Sequence, residues 1–216
     1  PHDASSWHGN IALKFSGQAA LDVLETERPV AKSSHAEMPV IIARNPKILE
    51  SQQAQIQILT ESKIRDAVLN SLQTAQPKDQ IDIAVFYLSH RAIIKAMKQA
   101  HQNGVAVRVI WDPNEDAFGR KKNGIPNRQV AMELYDAGIP VRWCDTHGEQ
   151  CHSKILIKNN FITAQSELIL GSANFTRRNL NNLNLETNIR LVAPTNDATI
   201  QAANTYINRL WNNGNG

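Results

Sequence analysis

The sequence predicts an α/β fold: a mixed, mostly parallel central sheet with helices on both faces. Short apolar runs of strand length recur along the chain, segments of helical period separate most of them, and Gly, Asn or Pro punctuates the junctions. Composition agrees, because 42% hydrophobic residues in a chain of 216 supply one sizeable core and exclude a fibrous or wholly disordered protein. No apolar run approaches the roughly 18 residues that cross a bilayer. The net charge of +3 is too small to announce a nucleic-acid or anionic-lipid partner by itself.

In residues 9–17, Ile11, Leu13 and Phe15 alternate with polar neighbours and predict a strand. Residues 18–27 place Ala20, Leu21, Val23 and Leu24 at helical spacing, and Pro29 is expected to stop that helix. Residues 30–39 have the composition of a linker, which sets a boundary near residue 38. Residues 39–212 then form the main unit, followed by a disordered tail at 213–216. Within the unit, residues 55–59 read as a strand and Thr60 as the cap of a helix to about residue 75, whose Ile64, Val68 and Leu72 share a face. Strand 81–87, helix 90–102 and strand 105–111 make a βαβ unit. A long polar loop, 113–126, leads to helix 127–137 and strand 141–144. Strands 152–158, 167–171 and 186–192 and a helix from about 196 to 211 complete the chain.

Several nucleotide and hydrolase signatures are missing: no Gly-x-x-x-x-Gly-Lys, no Gly-x-Gly-x-x-Gly, no His-Glu-x-x-His and no Gly-x-Ser-x-Gly. Chemistry-bearing residues concentrate instead between 146 and 188. A strand's two-residue period puts His152 and Lys154 on one face, where an imidazole can attack or exchange a proton beside an ammonium that holds phosphate charge. Gly171 lets the backbone turn closely at a strand end, and Ser172 and Asn174 can donate to phosphoryl oxygens. Glu186 could accept from one imidazole nitrogen and fix the tautomer. Cys144 and Cys151 lack a standard zinc spacing, and a pair of thiols or one disulfide are both open. No metal site is expected.

Taken in order, His152-Ser153-Lys154, Gly171-Ser172-Ala173-Asn174-Phe175 and Glu186 resemble the His-x-Lys and Gly-Ser-x-Asn signature of the phospholipase D superfamily. Residues 81–111, Gly124-Ile125-Pro126-Asn127 and Thr146-His147-Gly148-Glu149-Gln150 extend the resemblance to bacterial phospholipase D-like proteins over roughly residues 40–212. The resemblance implies a phosphodiesterase that works through a phosphohistidine without metal or other cofactor, hydrolysing or transferring phospholipid phosphodiesters. A phospholipase D-like nuclease and a catalytically silent phosphate-binding lobe are the alternatives. His152, Lys154 and Glu186 would be catalytic, and Lys154, Ser172 and Asn174 would bind the phosphate. Asn159 departs from the pattern, which has Asp there, and puts a structural ion pair in doubt.

Of the seven His, only His152 is followed two residues later by Lys, so one chain supplies half a site. The other half is expected from a complementary N-terminal lobe, whose closing strand and helix residues 1–28 resemble, or from a second copy of the chain. The opening Pro1-His2-Asp3 is read as the start of a processed chain or fragment, with an exported or periplasmic setting favoured over the cytoplasm. His147 and Arg128 are candidates for the pocket rim, beside Glu149. The basic run Arg120-Lys121-Lys122 is either a solvated loop or an anion-attracting edge. Arg177 and Arg178 read as helix-surface residues, and Trp111 and Trp143 as core or pocket wall.

Overall fold

A computed structural model describes residues 9–38, 54–113, 116–117, 120–121, 124, 126–146 and 150–213. In chain order its elements are α1 (Gln18–Ser33), β1 (Gln55–Thr60), α2 (Ser62–Gln73), β2 (Gln80–Val85), α3 (Arg91–Gln102), β3 (Ala106–Trp111), the two-residue strands β4 (Asp116–Ala117) and β5 (Arg120–Lys121), α4 (Asn127–Asp136), β6 (Val141–Trp143), β7 (Lys154–Asn160), β8 (Gln165–Gly171), α5 (Arg177–Leu180), β9 (Thr187–Pro194) and α6 (Ala198–Asn213). Seven strands form one mixed sheet in the order β1-β9-β8-β7-β2-β3-β6.

The balance of strand directions differs from expectation. β2, β3 and β6 are parallel, as helical crossovers through α3 and α4 require, but the other four pairings are antiparallel. From β7 onward no long crossover helix intervenes: residues 161–164 alone join β7 to β8, a length that permits only a hairpin.

Alternation along the strands divides the core in two. Ile81, Ile83, Val85, Val107, Val109, Leu156 and Ile169 pack with the apolar faces of α2, α3, α4 and α5. Ala84, Ile110, Ile155, Ile157, Leu168, Leu170 and Leu191 point the other way, onto Ile200, Ala203 and Ile207 of α6. Both faces are covered. Burying one Ile or Leu side chain contributes about 1.5–3 kcal/mol, so the two clusters together hold the sheet ends rigidly in register.

Local readings fail where the backbone overrides composition. Residues 9–16 form no strand; Ile11 and Leu13 alternate because they pack against the α6-side core, not because they sit in the sheet. α1 runs through Pro29 to Ser33, and the Ser33 hydroxyl donates to the Pro29 carbonyl at 2.9 Å. The stretch read as linker therefore begins as helix, and residues 39–53 beyond the boundary lie outside the described set. Thr60 is the last residue of β1 rather than a cap, because Glu61 makes the turn into α2 at φ 46°. The polar loop after β3 carries the β4–β5 ladder. α6 continues through Asn212 and Asn213, where no Pro or Gly interrupts it. Among the described residues no helix is long and apolar enough to cross a membrane.

Candidate active site

One transverse row of the sheet assembles the site. Val85 at the end of β2 pairs with Trp111 on one side and with Lys154 on the other. Ile155 pairs with Leu170, so the next step of that ladder brings Lys154 level with Gly171, which itself pairs with Asn188. Lys154 opens β7, Gly171 closes β8 and Glu186 immediately precedes β9, so antiparallel pairing places all three at one end of the sheet.

His152 lies just before β7 rather than within it. Its N–H donates to the Gly9 carbonyl at 3.2 Å, while the Gly9 N–H donates to Gln150 O at 2.8 Å. Its ring meets Phe86 edge-on, with centroids 4.8 Å apart, and Nδ1 lies 3.2 Å from Oδ1 of Asn10. Lys154 is buried, with Nζ donating to the His152 carbonyl at 2.7 Å and lying 5.4 Å from the Phe86 ring centroid. Burial pushes this ammonium down to about 8, and the charges of Glu186 and Asp112 pull in the opposite direction.

Across the row, Ser172 Oγ donates to Glu186 Oε2 at 2.5 Å and accepts from the Thr187 N–H at 3.1 Å. Asn174 Oδ1 accepts from the Tyr87 N–H at 3.2 Å, which turns its Nδ2 into the end able to donate to a ligand. One buried cation, the Ser172 hydroxyl, whose proton goes to Glu186, and the Asn174 amide thus lie with the imidazole at one end of the sheet, a set of groups whose chemistry suits a phosphoryl group.

Glu186 departs from its expected role. Its carboxylate takes Ser172 on one oxygen and Asn179 and Asn184 on the other. The Nδ1 of His152 faces Asn10 instead, because the 9–10 segment lies directly alongside residues 150–152. Glu186 thus fixes the Ser172 hydroxyl and supplies negative charge near Lys154. Arg128 is exposed on the first turn of α4, and His147 and Glu149 lie outside the described residues. Asn159 sits at the far end of β7 from Lys154, where it accepts from Ser166 Oγ at 2.7 Å and donates to Asn204 Oδ1 at 3.0 Å. Cys144 and Cys151 form a disulfide.

Four supports went unnoticed in the sequence. Asn127, fully buried, donates to the carbonyls of Phe86 at 2.7 Å and Asp112 at 3.0 Å and accepts from the Leu88 N–H at 3.1 Å, so one amide joins the ends of β2 and β3. Asp112 accepts from the Cys151 N–H at 2.8 Å. Asn188 Oδ1 accepts from the Ala173 N–H at 3.1 Å and braces the turn after Gly171. Phe86 contributes the wall against which His152 and Lys154 rest. Polar residues at strand ends were the available signal, but their partners are 15 to 41 residues away.

Residues 68–211 match the protein family described as "Cardiolipin synthase, PLD-like domain". No curated protein matches the chain. Among solved structures the fold is similar to NUC, a phospholipase D family member from Salmonella typhimurium, at 21% identity and a TM-score of 0.58, with 74% of this chain and 96% of that one covered. NucT from Helicobacter pylori gives 19% identity and 0.55, covering 76% and 99%. A phosphatidylserine synthase from Haemophilus influenzae gives 12% and 0.56, covering 94% of this chain and 48% of that one. The structural likenesses bear on the fold; the family match spans more than half of the sequence, and with it the chain belongs to the phospholipase D-like domain family of the phospholipase D superfamily.

Proposed function

We propose that this chain supplies one half of a phosphodiesterase that hydrolyses or transfers phospholipid phosphodiesters through a phosphohistidine on His152. The observation that carries the reading is the convergence of His152, Lys154, Ser172 and Asn174 on one sheet end, around a buried ammonium. Nε2 of His152 attacks phosphorus, the bond to the leaving alcohol oxygen breaks, and an imidazole from the complementary half protonates that oxygen. Water or an acceptor alcohol then gives its proton to the same imidazole and attacks phosphorus, which releases Nε2. Lys154 and the Asn174 amide hold the phosphoryl oxygens as charge builds on them, and Ser172 joins them by turning its hydroxyl proton away from Glu186. Arg128, exposed on the first turn of α4, would serve at the rim, and the proposed step calls on no metal or other cofactor.

The second imidazole comes from an N-terminal lobe, with residues 39–212 read as the catalytic lobe, or from a second copy of the chain. The family description favours a phospholipid over a nucleic acid. The remoteness of Asn159 from Lys154 removes the main argument for a silent lobe. The disulfide suits an exported or periplasmic setting.

The test is turnover of labelled phosphatidylcholine, with plasmid DNA as the competing substrate, measured against protein concentration and oligomeric state by light scattering. Activity on the lipid that rises with association and is abolished by His152→Ala supports the reading. Cleavage of DNA alone, or a strict monomer active at every concentration, overturns it.

A further inference from the structure

We infer that Asn10 is a positioning residue that holds the His152 imidazole in its Nδ1–H tautomer. The contact is direct, at 3.2 Å between Asn10 Oδ1 and His152 Nδ1. An amide oxygen can only accept, so the ring nitrogen that faces it carries the proton and the lone pair lies on Nε2. The placement is braced on both sides. The two backbone hydrogen bonds of Gly9, to Gln150 O and from the His152 N–H, fix residue 10 beside the ring, and Phe86 limits its rotation from another direction. Glu186, the carboxylate expected to orient the ring, is committed to Ser172, Asn179 and Asn184.

The consequence is that the segment before α1 is part of the site. Residues 9 and 10 set which nitrogen of His152 can attack, and they do so with a neutral group. The effect on turnover rests on the proposed reaction; the tautomer does not.

The experiment is two-bond proton–nitrogen correlation NMR of the 15N-labelled chain at a pH where His152 is neutral, with its signals assigned by their loss in His152→Gln. The expected result is a predominant Nδ1–H form in the unsubstituted chain, a shift toward Nε2–H in Asn10→Ala, and restoration of Nδ1–H in Asn10→Asp, which keeps an acceptor oxygen. Turnover by the associated protein should fall about 10–100-fold in kcat for Asn10→Ala with KM little changed, as for other partners that orient an imidazole from behind. An Nε2–H ring in the unsubstituted chain, or the same tautomer in the Asn10→Ala and unsubstituted proteins, overturns the assignment. If the tautomers behave as stated and no phosphodiester is turned over, the assignment stands and the proposed reaction fails.

Discussion

Lys154 reaches back two residues to the carbonyl of His152, at 2.7 Å, so the ammonium proposed to hold phosphate also clamps the backbone of the residue proposed to attack. Its burial, at 5% exposure, gives this group its pH dependence.

Burial brings Lys154 down from 10.5 to about 8, against the pull of Glu186 and Asp112. In the proposed reaction the charged form holds phosphate, so kcat/KM should fall as pH rises through about 8. Stability moves the other way. The unfolded chain holds its Lys proton up to about 10.5, binds more protons than the folded chain between about 8 and 10.5, and stability therefore rises across that window. Rate profiles and denaturant midpoints at several pH values check both signs, and Lys154→Met should flatten the stability trend.

Gly171 admits no side chain. A Cβ there would lie 2.3 Å from the Thr187 carbonyl oxygen and 2.5 Å from Asn188 Cα, both backbone atoms of the neighbouring strand. Gly171→Ala must push β8 and β9 apart, which should destabilise the protein by roughly 3 kcal/mol and displace Ser172 and Asn174. Urea unfolding measures the first effect. A loss below about 1 kcal/mol would mean that the strands yield cheaply.

Restoring the family's carboxylate at position 159 should harm stability rather than help activity. Asn159 is buried among Ser166 and Asn204, and among the described residues no Lys or Arg hydrogen-bonds to it. Asn159→Asp buries an unpaired charge and gives up a donor, which should cost about 1–3 kcal/mol at neutral pH. Burial raises the folded-state value of such a carboxyl, so the deficit should shrink as pH falls and the group is protonated. The kcat should stay within about twofold, because the site lies at the other end of β7.

The disulfide closes a loop between residues 7 apart in sequence, and the next residue is His152. Cys144→Ala with Cys151→Ala should lower stability by about 2–3 kcal/mol. It should also reduce turnover, because the Cys151 N–H is the group that Asp112 holds at 2.8 Å. Thermal unfolding with and without reductant, which should reproduce the effect reversibly, is the measurement.

Periodicity made the alternation of β2, α3, β3, α4 and β6 legible, since apolar spacing there coincides with burial on one face. It misled at residues 9–16, where the same spacing reports packing without strand pairing. Direction was legible where a crossover helix or, at β7–β8, a short connection forces it, whereas the β2–β7 and β1–β9 pairings join strands far apart in sequence and could not be read from pattern. For the site, His152, Lys154, Ser172 and Asn174 were visible through motif order. The company they keep was not: Asn10 stands 142 residues from His152, and Asn127 stands 41 from Phe86. A side-chain hydrogen bond across such a distance leaves no local spacing to detect.

The row that joins Val85, Lys154, Gly171 and Asn188 also constrains the order in which the chain can fold. The β2–β7 ladder closes a loop of about 70 residues, Val85 to Lys154, and the β1–β9 ladder one of about 130, Thr60 to Thr187, whereas β7–β8 and the β2–β3 unit close over far shorter stretches. Two locally formed halves should therefore collapse first and meet along the β2–β7 and β1–β9 ladders, late and slowly. Until they do, Phe86 and Asp112 sit in one half and His152 and Lys154 in the other. Chemical competence should then appear in refolding with the slowest packing phase, after most helical signal has returned.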